Sequence, residues 1–392
     1  MKNNFTMKIV KFLICLIIVS GISKSALLAQ VTPVAKPPVP APVAPVNVTP
    51  ATLLSTQKLA IAGLAHDHVH NILGDYRDGK VIIVGIAEAD KQLRDRYQKQ
   101  YNLPDSILFD DLKKMIAAKK PEVVLGYNPV AKHIDIVEVC APLGISVMVE
   151  KPLAATLAQA SRMEFLALKY YIKLLTNYET TWYPSYQHVY DVAAKDSLGQ
   201  IRKMVVHDGH QGPKEIGCSK DFTNWLTDPE LNGAGALNDF GCYGANLMTW
   251  LMNGQKPIAV TAVARHFKRQ TYPKVEDDAS IFVEYPTATG IIEASWNWPF
   301  SIKDLEVFGD EGYMHALDKD NVVTRINNNP AVTRIAAPLA APDDNPVSYL
   351  QLVTRNRLKG IADRSSLKYN MIVMQILDAA KRSIAEGKRI VL

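Results

Sequence analysis

Cysteine is scarce in this chain of 392 residues, which holds only four. Cys15 lies in an apolar N-terminal stretch, and Cys140, Cys218 and Cys242 are scattered through the rest. A sparse, odd set of that kind excludes a disulfide framework, even in an oxidising compartment. At least one thiol stays free unless it pairs between chains. Charge bias is missing too. There are 44 Lys and Arg against 39 Asp and Glu, and Lys2, Lys8, Lys11 and Lys24 all precede position 30, where no acid occurs. Without those four the balance is 40 to 39, about +1. A near-neutral body excludes a strongly basic protein and argues against a nucleic-acid partner. No long internal repeat is visible, which excludes a solenoid. The apolar stretch Phe12 to Ile22 is too short to span a bilayer comfortably. Ile14 is not the small residue that a lipoprotein signal places before its cysteine, and no twin-arginine pair is present.

What is there begins with a targeting segment. Lys2, Lys8 and Lys11, the apolar core and Ala26-Leu27-Leu28-Ala29 read as a signal peptide over residues 1–29, with no stable membrane insertion after cleavage. The expected location is the periplasm or another exported compartment. Residues 30–57 are proline-rich and glycine-free, which reads as an extended tether.

From Lys58 to Tyr178 short apolar runs alternate with helical patterns. The runs are Leu59–Ala62, Val81–Ile86, Ile107–Phe109, Glu122–Gly126, Ile145–Glu150 and Lys173–Asn177. Continuous apolar strands between helices predict a parallel sheet covered on both faces, in a Rossmann-type doubly wound domain over 58–178. Thr156-Leu157-Ala158-Gln159 has capping-box spacing and opens a helix. The phosphate fingerprint in the first turn is imperfect, because its three glycine positions fall at Gly63, Ala65 and His68. Glu88 closes the second strand, where an acid binds ribose hydroxyls and repels a 2′-phosphate, so NAD is expected over NADP.

The same turn, His66-Asp67-His68-Val69-His70, admits a metal-hydrolase reading through His66 and His68. The remaining histidines lack the spacing of strand-end ligands around an eightfold barrel, and there are too few strand–helix units for one. Histidines that cap and solvate a helix N-terminus are the preferred reading, and no metal is assigned.

Residues 179–392 change character. Longer, often alternating strands at 201–207, 258–267, 279–285, 290–298, 305–309 and 322–326 predict a large, mostly antiparallel open sheet in an α+β domain, closed by helices near 347–358 and 367–386. An open sheet predicts a homo-oligomer, dimer or tetramer. Two stretches carry chemistry. Glu150-Lys151-Pro152 ends the fifth strand, and burying an ammonium is expensive, so Lys151 reads either as a substrate-holding cation or as a strand-end lysine reaching water. A glycine-rich loop then runs into a helix in which Asp239 and Tyr243, four apart, share a face. An acid and a phenol so placed suit proton transfer, or else serve as a cap and a core residue.

Taken together, Glu150-Lys151-Pro152 and Gly235-Ala-Leu-Asn-Asp239-Phe-Gly-Cys-Tyr243 resemble the glucose–fructose oxidoreductase / inositol dehydrogenase (Gfo/Idh/MocA) family. Tyr127-Asn128-Pro129 with His133, the Asp277-Asp278 pair, Glu293-Ala294-Ser295-Trp296 and Ile376-Leu377-Asp378-Ala379-Ala380 extend the resemblance across Lys58 to Leu392. It implies an NAD(P)-dependent oxidoreductase for a sugar, glycoside or polyol. By that resemblance Lys151 stabilises the developing alkoxide, Tyr243 stands where many members have a histidine base, and Asp239 orients substrate or tunes Tyr243. Lys151 is expected to depress the pKa of Tyr243. Gly63, Ala65, His66, His68, Glu88, Asn128, Pro129, His133 and Glu150 are expected at the cofactor. An exported enzyme meets almost no free NAD, so the cofactor is expected to be held and recycled. The alternatives are an NAD-dependent glycosidase or epimerase working by transient oxidation, and a non-catalytic sugar-binding member.

Overall fold

The computed structural model describes residues 57–360 and 362–392. The expected signal peptide and nearly all of the expected tether lie outside the described residues. Gln57, at the end of the tether, is buried and donates from Nε2 to Thr354 Oγ1 at 2.7 Å.

The first layer runs β1 (Leu59–Ala62), α1 (Val69–Arg77), β2 (Ile83–Ala87), α2 (Lys91–Tyr101), β3 (Leu108–Phe109), α3 (Leu112–Lys119), β4 (Val123–Gly126), α4 (His133–Cys140), β5 (Ser146–Glu150), α5 (Leu157–Lys169) and β6 (Leu174–Asn177). The strands form one sheet in the order β3-β2-β1-β4-β5-β6, every pairing parallel. Every residue of β1 and β4 is buried, as expected of strands covered on both faces. The order reverses between β1 and β4, which places a crevice at the carboxyl ends of β1, β4 and β5.

Local differences have local causes. α1 starts at Val69, and just before it the Asp67 carboxylate accepts the Ser219 amide at 2.9 Å. Thr156 caps α5 by accepting from Gln159 N at 3.2 Å. The Gln159 side chain turns to the Ala131 carbonyl, so only half of the capping box forms.

The second layer runs α6 (Pro184–Ala194), β7 (Ile201–Gly209), α7 (Lys220–Leu226), α8 (Pro229–Asn232), α9 (Ala236–Asp239), α10 (Gly241–Leu251), β8 (Ala259–Arg265), β9 (Asp278–Glu284), β10 (Thr289–Ser295), β11 (Ile302–Gly309), β12 (Gly312–Ala316), β13 (Asn321–Ile326), β14 (Val332–Ile335), α11 (Pro346–Thr354), α12 (Leu367–Glu386) and β15 (Ile390–Val391). Nine strands form a sheet in the order β14-β13-β12-β11-β7-β10-β9-β8-β15. Only the β7–β10 pair is parallel. α10 and α12 cover one face, and Val263, Phe282 and Phe308 stand exposed on strands of the same sheet. α11 buries Val347, Leu350 and Val353 in the apolar cluster of the first sheet.

The expected single helix through Asp239 and Tyr243 is broken. α9 ends at Asp239, Phe240 leaves regular helix geometry, and α10 begins at Gly241. The reason lies in one carbonyl. Asp239 O accepts the Lys151 ammonium at 2.9 Å, where an unbroken helix would give it to the amide of Tyr243. No described helix is long and apolar enough to cross a membrane.

Candidate active site

Lys151 follows β5 directly and is 5% exposed. An ammonium so buried is tolerated only with a partner. Its Nζ donates to Asp239 Oδ1 at 2.5 Å and to the Asp239 carbonyl at 2.9 Å. The other carboxylate oxygen, Oδ2, accepts the Trp296 indole N–H at 2.9 Å. Burial works against the Lys151 charge, but the Asp239 carboxylate outweighs it and raises the pKa. Burial likewise works against the Asp239 charge, and Lys151 holds that carboxyl below its usual range. The Asp277-Asp278 pair supports the partner. The Asp277 carbonyl accepts the Trp296 amide at 2.8 Å, and its side chain accepts the Phe267 and Lys268 amides.

Tyr243, in the first turn of α10, lies beneath the ammonium. Lys151 Nζ is 4.9 Å from its ring centroid and 5.7 Å from that of Phe240. The expectation that Lys151 depresses this phenol is corrected. Burial, then Glu179 and Asp208, push its pKa well above the ordinary value. Tyr243 therefore keeps its proton at neutral pH.

Three groups that no sequence spacing pointed to complete the cluster. Lys303 Nζ stands 4.9 Å from the same ring and bonds the Glu179 carboxylate. Burial opposes the Glu179 charge, but Lys303 and the Tyr183 hydroxyl bring its pKa down to about 2. Asp208 pairs with Lys303 across β7 and β11, so both side chains share a sheet face. It is 1% exposed, its Oδ1 has no hydrogen-bond partner, and burial pushes its pKa well up. These residues are distant in sequence and meet only through sheet topology.

The cofactor residues divide. Gly63, Ala65, Glu88, Asn128 and Pro129 line one cavity of about 540 Å³ at the crevice. Gly63 has φ +84°, and a Cβ there would stand 2.7 Å from the Asn128 backbone, so the position needs glycine. Glu88 closes the turn by accepting the Leu64 amide at 2.8 Å and the Asp90 amide at 2.9 Å. These features fit the adenosine half of a dinucleotide. His68 and Glu150 line a second cavity of about 460 Å³ with Tyr127, Asn177, Glu179 and Trp182. His68 Nδ1 lies 3.0 Å from Glu150 Oε2, and with Asn177 it outweighs burial and holds Glu150 below the carboxylate range.

Two assignments are corrected. His66 does not face the crevice. It is 1% exposed, packed on Phe222 and Trp225 with centroids at 4.8 and 5.5 Å, and burial pushes its pKa well down. Its apolar walls come from α7, which the sequence reading did not anticipate. His133 is fully buried, with a pKa brought down to about 4 by burial. Its Nδ1 lies 3.1 Å from the Leu153 carbonyl, so it supports the turn that carries Lys151.

Comparison with known proteins agrees with the two-part fold. The model of an oxidoreductase family with an NAD-binding Rossmann fold matches residues 58–178, and the GFO/IDH/MocA C-terminal domain matches residues 186–315. Trans-1,2-dihydrobenzene-1,2-diol dehydrogenase of Xenopus laevis is 28% identical over 208 residues, which is 52% of this chain and 57% of that protein. D-xylose 1-dehydrogenase [NADP(+)] of Haloarcula marismortui is 24% identical over 208 residues, 53% of this chain and 56% of that one. The chain thus spans little more than half the length of these curated relatives. The aldose-aldose oxidoreductase of Caulobacter crescentus, crystallised with glycerol, superposes with a TM-score of 0.73 at 20% identity, covering 86% of this chain and all of that one. An inositol dehydrogenase homolog from Azotobacter vinelandii, complexed with NAD+, has a TM-score of 0.73 at 17% identity, covering 86% and 98%.

Proposed function

The chain belongs to the Gfo/Idh/MocA oxidoreductase family, and from that premise we propose an exported, NAD-dependent oxidoreductase acting on a sugar, glycoside or polyol. The observation that carries the reading is the buried Lys151–Asp239 pair above Tyr243. Gly63, Glu88, Asn128 and Pro129 would hold the adenosine half of NAD. Bound NAD supplies a hydride acceptor, or in reverse a donor, at the substrate carbon.

The chain's own part is charge and proton. The Lys151 ammonium stabilises the oxygen on which negative charge develops, and a fixed cation in a dry site is strong there. Tyr243, which holds its proton at rest, donates to that oxygen when a carbonyl is reduced; in the oxidising sense it takes the substrate proton only after releasing its own. Asp239, clamped by Trp296, fixes the ammonium. The N-terminal segment reads as an export signal, and an exported enzyme meets little free NAD. Tight retention and recycling of the cofactor follow, either with two substrates in alternation or within one substrate.

A redox-neutral outcome, as in a glycosidase or epimerase working by transient oxidation, has one observation in its favour. Lys303, Glu179 and the buried Asp208 supply a second set of acid–base groups beside Tyr243, more than one hydride transfer requires.

The test is to denature native protein and assay the supernatant for nicotinamide. Near one equivalent of NAD(H) per chain supports the reading. Protein that releases none, and binds none at millimolar concentration, contradicts it.

A further inference from the structure

His66 and His68 alternate after β1, and on sequence spacing alone they had no third partner. The strand order β1-β4-β5 supplies one. His66, His68 and Glu150 each present a ligand atom, and these atoms lie within 4.8 Å of one another. We propose that this triad binds one divalent first-row transition ion of the Zn2+ type, beside Lys151.

The donor set is two imidazoles and a carboxylate. Three such ligands leave a coordination position open to water or a substrate oxygen, the arrangement of reactive rather than structural sites. Each donor carries a separate sign of preparation. His66 is 1% exposed and its Nε2 has no hydrogen-bond partner, while its Nδ1 accepts the His68 amide at 3.2 Å; ligation through Nε2 requires that amide bond to be given up as the ring proton moves to Nδ1. Glu150 Oε2 already meets His68 Nδ1 at 3.0 Å, where an ion would replace the shared proton. Glu150 Oε1 accepts from Asn177 Nδ2 at 2.8 Å, an outer contact of the kind that orients ligating carboxylates. Phe222 and Trp225 wall the His66 ring and keep that side dry.

Ligands about 2.0–2.2 Å from a tetrahedral ion stand roughly 3.4 Å apart. The triad must therefore close by about an ångström or so, and His68, with its side chain 31% exposed, has room to turn. Two charges oppose a cation here, the Lys151 ammonium and the N-terminus of α1. Asp239 pairs the first, and Glu150 faces the second through His68. The proposal stands on the ligand geometry and does not rest on the oxidoreductase reading.

The test uses full-length protein purified without a histidine tag, stripped of metal and titrated with Co2+, then with Zn2+. One equivalent of Co2+ per chain is expected, with a visible ligand-field band that Zn2+ abolishes. His68→Ala, at a half-exposed helix end where folding should survive, is expected to weaken Co2+ binding at least about a hundredfold, and Asn177→Ala about tenfold. His70→Ala should leave binding unchanged, since His70 lies against Tyr97 and Tyr101, with its Nδ1 2.6 Å from the Tyr101 hydroxyl. No Co2+ binding at millimolar concentration, or equal loss in His70→Ala and His68→Ala, overturns the proposal. Nicotinamide content, measured separately, distinguishes this failure from failure of the oxidoreductase reading.

Discussion

The loop after β1 and the turn after β5 lie at one edge of the same parallel sheet, yet they are held by opposite means. Around Ala65 and His66 the β1 loop is closed by backbone and aromatic contacts, with carboxylates meeting it only at Leu64, Asp67 and His68. Trp225 Nε1 donates to the Ala65 carbonyl at 3.0 Å, His66 N donates to the Tyr127 carbonyl at 2.9 Å, and aromatic rings cover His66. The β5 turn is held by a buried ion pair to a different layer of the molecule. A buried pair is seldom the most stabilising solution for a site of its volume, whereas apolar burial is. The loop is therefore built as a structural closure, and the turn keeps a charge for which stability alone gives no reason. The same contrast separates the two halves of the cofactor track. One half is lined by Gly63 and Glu88, the other by His68 and Glu150.

Breaking the ion pair should give the largest effect. Asp239→Ala leaves a buried ammonium without its carboxylate and is expected to cost about 3–5 kcal/mol in urea unfolding. The double variant Lys151→Met/Asp239→Leu should recover most of that loss, because it removes both charges together. A double variant no more stable than Asp239→Ala would contradict the view that the pair is kept for chemistry.

On the loop side, Trp225→Ala removes a ring that is 3% exposed together with its bond to Ala65. A loss of about 3 kcal/mol is expected in the same assay. Unlike the loss from Asp239→Ala, it should not be recovered by any change at Lys151. Gly63→Ala places a Cβ 2.7 Å from Asn128 at a positive φ and should cost about 2 kcal/mol. It should also weaken nicotinamide retention while leaving the Lys151 turn intact.

The smallest effect sharpens the contrast between buried and open ion pairs. On the second sheet, His207 Nδ1 lies 2.7 Å from Asp304 Oδ1, with the His207 side chain 33% exposed. The bond to Asp304 raises the pKa of His207, and Asp304, bonded to both His207 and His315, is brought down to about 2 against the effect of burial. A raised histidine contributes stability that is fully present below about pH 6.5, its unfolded pKa, and is lost as pH rises through the folded pKa. Melting temperature should fall by a degree or two from pH 6 to pH 8, and less in His207→Gln. An unchanged pH slope in that variant would count against the pairing.

Much of this was legible in the chain. Continuous apolar runs show the parallel strands because burial on both faces leaves no alternation. The pairing of Lys151 with Asp239 and Tyr243 was legible through motif order. The unread parts have physical reasons. β14 is exposed throughout, so it carries no burial pattern. β15 is only two residues long, and α6 and α7 fell in a stretch read chiefly for strands. Asp208, Glu179 and Lys303 meet only through sheet register. His66 and His133 were placed at the cofactor by motif position, whereas aromatic cover and a backbone carbonyl claim them in the fold. Phe240 interrupts the expected helix because Lys151 takes a carbonyl that no local propensity could assign.

The central claim is that Lys151 and its partners act on a substrate oxygen against a nicotinamide that stays bound. It is tested most directly by following nicotinamide absorbance in purified native protein while glycosides and polyols are added, for the wild type and Lys151→Met at matched cofactor content. The account predicts a substrate-dependent absorbance change in the wild type that is at least about a thousandfold slower in the variant. Equal rates in the two proteins would contradict it.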